Sequence, residues 1–204
     1  MMSTVPKVSV IDYGMSNLLS VTHALEHLGC EVQIISTAKD ILRAQRIVFP
    51  GVGAFPDAIK RLNEDALSSA LIRTIAKGVP ILGICLGMQL LFAGSDEWGK
   101  NIGLSVFPDW IVKMDVNLKT PHMGWNQVNN VGKSPLLKDL DGQSFYFVHS
   151  YWATDIEAPH AVGLSEYGST FVSVAQQDNV FGVQFHPEKS SAAGLMLLKN
   201  FICL

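Results

Sequence analysis

Cysteine, charge and long apolar runs are all scarce in this sequence, and each shortage removes a class of protein. Three cysteines occur in 204 residues, Cys30, Cys85 and Cys203. They are far apart, odd in number and without CxxC spacing, which argues against a disulfide framework or a zinc site. No unbroken apolar run approaches the ~20 residues that cross a bilayer. The opening MMSTVPKVSV has no basic stretch followed by a long apolar one, so no secretory signal is expected. The expected localisation is cytoplasmic, where a reducing environment preserves free thiols. Charged residues make up 16%, with a net charge of −3 and no run of one sign. That is not the basic footprint of a nucleic-acid binder. Repeats, linkers and low-complexity segments are missing too, so residues 1–204 read as one domain.

What is present is apolar residues, 48% of the chain, enough to fill a sizeable core. In the first half KVSVI (7–11), EVQIIS (31–36), RIVFP (46–50) and VPILGI (79–84) read as strands. Between them Leu18, Val21, Leu25 and Leu28 recur at helical spacing up to Gly29. A short helix is expected over 38–44, and Leu67, Leu71 and Ile75 mark another, closed by Gly78. A further helix is expected to run from Cys85 through Met88 to about Ala93. This alternation predicts an α/β fold: an open, mostly parallel, doubly wound sheet with helices on both faces. In the second half SFYFVHSY (144–151) reads as one strand. TFVSVAQ and VFGVQF (180–185) flank the turn-like QDN as an added β-hairpin. A helix over Ser191–Phe201, capped by Ser190 or Ser191, follows. Residues 95–143 are rich in turns and yield no assignment.

Gly83-Ile84-Cys85-Leu86-Gly87 has the form GxCxG, a nucleophile elbow with sulfur in place of oxygen. A strand turning sharply into a helix projects the central side chain, and the glycines remove side chains that would collide. The helix N-terminus favours a thiolate. The competing reading is a packed core cysteine. His186 follows an apolar strand in GVQFHPEKS, with Glu188 two residues on. An extended X-Pro-X segment would put both on one side, with Glu188 holding Nδ1 and Nε2 left for Cys85. The alternative is a solvated strand end. His149, inside an apolar strand, is a rival base or a satisfied core histidine. FPGVGAF (49–55) places two glycines after a strand, either as a loop that lets backbone N–H groups approach a ligand or as an ordinary turn.

Together PGVGAF, GICLGMQLLF, PHMGWN, YFVHSY and FGVQFHPEKS resemble, in order, the class I glutamine amidotransferases. The resemblance runs from Ile11 to Phe201. DYGMSNL (12–18) and PHMGWN (121–126) narrow it to the branch that serves as glutaminase subunits of imidazole glycerol phosphate synthase in histidine biosynthesis. It implies Cys85, His186 and Glu188 as a triad, and an oxyanion site from Gly51, Val52, Gly53 and Leu86. It also implies substrate contacts at Gln89, His149, Ser150 and Tyr151. No metal or organic cofactor is implied. The implied partner is a (β/α)8-barrel synthase that receives ammonia through a channel, forming a heterodimer. Pro121, Met123, Trp125, Asn126 and Lys189 are the expected interface, and Gly51–Gly53 the expected switch. Neither nucleic acid nor membrane is an expected partner. Ser16 stands where the family usually has glycine, and Asp109 and Trp110 fall in a divergent segment, 103–112, expected near the partner. A paralogue feeding another synthase, such as one amidating a surface sugar, stays open, as do a free-standing cysteine hydrolase and a non-catalytic scaffold.

Overall fold

The computed structural model describes residues 5–204. Its strands and helices run β1 (Lys7–Ile11), α1 (Leu18–His27), β2 (Glu31–Ile35), α2 (Ala38–Ile41), β3 (Ile47–Gly51), α3 (Phe55–Glu64), α4 (Leu67–Ala76), β4 (Ile81–Cys85) and α5 (Leu86–Leu90). There follow β5 (Phe92–Ser95), β6 (Asn101–Ile102), β7 (Phe107–Lys113), β8 (His122–Asn130), β9 (Gln143–His149), β10 (Tyr151–Ala153), β11 (Ala161–Glu166), β12 (Thr170–Gln177), β13 (Val180–Val183) and α6 (Ser191–Ile202).

The sheet order is β2-β1-β3-β4-β13-β12-β10-β7-β5-β6. From β2 to β13 every neighbour is parallel. The inner strands β3, β4 and β13 are buried on both faces, which explains their unbroken apolar character, whereas edge strand β2 is largely exposed and carries Glu31 and Gln33. Alternation along each strand splits the core in two. Val48, Leu82, Ile84, Phe181 and Val183 pack with α1 and α6. Ile47, Phe49, Ile81 and Val180 pack with α3, α4 and α5. Each fully buried Leu, Ile or Phe in these layers contributes about 1.5–3 kcal/mol. The expected doubly wound sheet is thus present, and the β12–β13 hairpin forms as read, antiparallel in register Val174↔Val183 to Gln177↔Val180.

Several elements differ from the sequence reading. The helix after Cys85 ends at Leu90, and Phe92–Ser95 is a strand. Leu90, Leu91 and Phe92 are all fully buried, so the run carries no periodicity to tell helix from strand. Distant partners decide it: Leu104 N–H donates to the Leu90 carbonyl (2.9 Å), Val106 N–H to that of Leu91 (2.8 Å), and β5 pairs with β7. Helix α2 stops at Ile41 rather than 44. Helix α3, absent from the sequence reading, buries Phe55, Ala58, Ile59 and Leu62 behind a Pro in its first turn. The strand expected over 144–151 breaks at Ser150: β9 pairs with β8, whereas β10 joins β7 and β12. Ser190 does not cap α6 with its side chain; its hydroxyl donates to the His186 carbonyl (2.6 Å) and accepts from Tyr146 N–H (3.0 Å). The unassigned region supplies β6, β7 and β8, which extend the sheet with antiparallel strands. There Asp109 turns to buried His160 (2.9 Å), and the Trp110 ring lies against Gly94. Ser16 adopts no left-handed backbone, so its glycine-replacing side chain strains no turn there.

Candidate active site

Strand β4 runs into α5 with no intervening residue, and Cys85 sits at the junction with φ 55° and ψ −111°. Holding a non-glycine residue there costs about 1–3 kcal/mol and needs close support. The glycines supply it. A Cβ at Gly87 would collide with the Phe49 carbonyl, and one at Gly83 would lie 2.8 Å from Met88 N. Helix α5 therefore leans directly on β3 and β4. At five residues it is little more than one turn, so its dipole supports a thiolate less than the longer expected helix would.

His186 leaves β13 beside β4, and its N–H donates to the Tyr146 carbonyl (2.9 Å). Its Nδ1 meets Glu188 Oε1 at 2.8 Å, with both side chains almost wholly buried. The approach is made by a tight 3₁₀ turn at Pro187–Lys189 rather than by an extended segment. His186 Nε2 is buried without a well-aligned hydrogen-bond partner. Burial opposes the imidazolium, but Cys85 and Glu188, through hydrogen bonding and charge, outweigh it and push His186 up to about 10. A charged His186 beside Cys85 favours a thiolate–imidazolium pair. The Cys85 thiol also faces the Val148 carbonyl at 3.9 Å, and the Gln184 amide donates to its sulfur at 3.8 Å.

Cys85 and His186 open on one cavity of about 540 Å³. Val52, Gly53, Leu86, Gln89, His149, Ser150, Tyr151 and Pro121 line it, together with Glu97, Trp98, Lys113, Thr120 and Val148, which the sequence reading did not single out. Pro121, expected at a partner face, thus lies on the cavity wall. Glu97 is held by Phe55 N–H (2.8 Å), and burial pushes its carboxyl upward. Gln89 spends its amide N–H groups on the Tyr151 carbonyl (3.1 Å) and Gln184 Oε1 (3.0 Å). His149 Nδ1–H donates to the same Tyr151 carbonyl (2.9 Å), and its Nε2 meets His122 Nδ1 (3.0 Å). Both ring nitrogens are thereby engaged inside the protein. The Val52 N–H donates to the Met15 carbonyl (2.9 Å), away from Cys85. Trp98, on the cavity wall, is 75% exposed, and Met123 and Trp125 on β8 are 62% and 55% exposed. Asn126 instead bonds the Glu166 carbonyl (2.8 Å), and Lys189 is exposed. Among the described residues, no group of three or more His, Cys, Asp or Glu could hold a metal ion.

The family model for class-I glutamine amidotransferases matches residues 9–203. The chain belongs to this family. Class-I amidotransferase relatives named imidazole glycerol phosphate synthase subunit HisH include one from Moorella thermoacetica, 46% identical over 195 residues, covering 95% of this chain and 93% of the relative. Another, from Syntrophotalea carbinolica, is 41% identical over 202 residues, covering 95% and 98%. Among solved structures, PurLQS from Thermotoga maritima aligns with a TM-score of 0.77 at 16% identity, covering 98% of this chain and 99% of that one. A glutamine amidotransferase from Thermotoga maritima aligns with a TM-score of 0.62 at 17% identity, covering 98% and 82%. At these identities the structural likeness speaks for the class-I amidotransferase fold alone.

Proposed function

We propose that this chain is the glutaminase subunit of an imidazole glycerol phosphate synthase, releasing ammonia from glutamine for a (β/α)8-barrel partner in histidine biosynthesis, a cytoplasmic reaction. The observation that carries the chemistry is the strained Cys85 sharing a cavity with a buried His186–Glu188 pair. That cavity also offers a carboxylate, Glu97, and an ammonium, Lys113, which suit the two charges of a free amino acid. Gln89, both of whose N–H groups are spent, presents only its oxygen, an acceptor fit for a substrate carboxamide NH₂. Ser150 and Tyr151 complete the substrate wall, and the His149 ring packs beside them.

The Cys85 thiolate attacks the carboxamide carbon, and the negative oxygen is taken by the Leu86 N–H and by the Gly51–Gly53 loop. The imidazolium of His186 gives its proton to the departing nitrogen, so ammonia leaves and a thioester remains. His186, now neutral, takes a proton from water as the hydroxyl attacks that thioester. Glutamate leaves, and the proton returns the pair to its starting state. Glu188 keeps Nδ1 protonated and stabilises the imidazolium. With Val52 N–H held by Met15, one oxyanion donor is withheld. A flip of the Gly51–Val52 peptide, permitted by Gly51, would supply it once the partner is loaded. Exposed Trp98 on the cavity wall and exposed Met123 and Trp125 on β8 offer apolar surface for docking, and exposed Lys189, next to Glu188 in sequence, a charged contact. Channelling fits the chemistry, because ammonia lost to water is protonated and ceases to be a nucleophile.

The test measures glutamate release from glutamine by this chain alone, and with the synthase subunit plus its phosphoribulosyl aminoimidazole carboxamide nucleotide. Strong activation that disappears in Cys85→Ala is expected. Turnover that is independent of the partner, or that survives Cys85→Ala, would overturn the proposal.

A further inference from the structure

Gln184 has no part in the reaction as drawn, yet it is completely buried and touches the sulfur of Cys85. Which end of its amide faces the sulfur is fixed by elementary hydrogen-bond bookkeeping. The Tyr151 carbonyl can only accept. Gln89 must therefore turn its NH₂ toward it (3.1 Å), and the second hydrogen of that NH₂ reaches Gln184 (3.0 Å). Gln184 must meet that hydrogen with its oxygen, which leaves its own NH₂ pointing at Cys85 Sγ, 3.8 Å away. The other side of the carbonyl is equally determined. His149 Nδ1–H donates to it (2.9 Å), so in the neutral ring Nε2 is an acceptor and takes the Nδ1–H of His122 (3.0 Å). His122 Nε2 then accepts from the Asn126 NH₂ (3.4 Å), whose other contact is the Glu166 carbonyl (2.8 Å). Burial pushes both histidines down, His149 to about 3 and His122 to about 4, so both rings are neutral near pH 7 and the direction of the relay is unique.

We propose that Gln184 is an amide donor to the Cys85 thiolate, locked in that orientation by Gln89, the Tyr151 carbonyl, His149 and His122. The Val148 carbonyl, also close to the sulfur, is an acceptor that suits S–H rather than S⁻. Gln184 therefore shifts the balance toward the reactive form and adds to the pull of His186. The relay also begins on β8, where Met123 and Trp125 are exposed. The inference rests on Cys85 being the nucleophile.

The test follows alkylation of Cys85 by iodoacetamide against pH in the full chain, quantified on the Cys85 peptide so that exposed Cys203 does not interfere. Gln184→Leu is expected to raise the midpoint by about one pH unit and, at pH values below the wild-type midpoint, to slow alkylation about tenfold. Gln184→Glu, nearly isosteric, is expected to raise it further by placing an acceptor or a charge on the sulfur. Gln89→Leu, which frees Gln184 to turn, should move the midpoint in the same direction and serves if Gln184→Leu fails to fold. A merely structural role would lower the melting temperature and leave the midpoint unchanged. Unchanged midpoints in Gln184→Glu and Gln89→Leu would overturn the proposal while leaving the nucleophile standing. A wild-type Cys85 that is unmodified at every pH would overturn the nucleophile reading, and this proposal with it.

Discussion

Cys85 occupies a backbone conformation that glycine tolerates and other residues resist. This separates the strain of the site from its chemistry. Cys85→Gly is expected to unfold at higher urea concentration than Cys85→Ala, by about 1 kcal/mol, because alanine keeps the strain and glycine does not. Equal stabilities would show that the elbow is relaxed. Both variants should lose glutamine hydrolysis. Glu188 supports the charge on His186 across 2.8 Å. In Glu188→Gln the histidine falls from about 10 toward its ordinary value. The alkaline limb of kcat/KM for glutamine should move to lower pH, with a rate loss of about 10²-fold or more. An unmoved limb would separate Glu188 from the proton chemistry. At this scale the sequence was informative: the spacing of His186 and Glu188 foretold their contact. Gln184 lay in the same stretch, but its orientation depends on the Tyr151 carbonyl, which joins it only through the fold. Glu97 and Lys113 were equally silent, since a lone acid and a lone base look alike on any surface.

Among elements, α5 shows how little space the site leaves. Gly87→Ala would drive a Cβ into the rigid Phe49 carbonyl, whereas Gly182→Ala meets Met88 Cγ at 2.6 Å, a side-chain atom rather than main chain. Gly87→Ala is expected to cost about 1–3 kcal/mol in urea unfolding and to abolish activity, and Gly182→Ala to cost clearly less. The reverse order would contradict the rigidity of the β3–α5 contact. The inner parallel strands β3, β4 and β13 were legible because both of their faces are buried and their sequences say so. The end of α5 and the whole of β5 were not. They depend on pairing with β7, and β7 comes from the stretch between 95 and 143 where no local period exists. The break at Ser150 was hidden for a related reason: a strand that changes sheets keeps its alternation, and only its partners change.

Over the whole molecule, three buried histidines tilt stability in opposite directions. His186 is raised, so its contribution is complete below the ordinary histidine value near 6.5 and is lost as pH rises through about 10. His122 and His149 are lowered, so theirs is complete above that value and is lost as pH falls toward about 4 and 3. Stability measured by urea unfolding should peak between these windows, near pH 6.5. His122→Gln should flatten the acid side by up to about 1.4 kcal/mol per pH unit and leave the alkaline side alone. An acid side unchanged by that substitution would mean that the buried ring titrates normally. The arrangement of the sheet has one more consequence. Strand β13 lies between β4 and β12, so the centre of the sheet is filled by one of its latest strands in chain order. During synthesis β4 therefore emerges as an edge and carries Cys85 about a hundred residues ahead of the histidine that will partner it. The growing polypeptide holds a thiol with neither its proton acceptor nor its shelter, exposed to oxidants. Competence for chemistry arrives only when the last strand slots in.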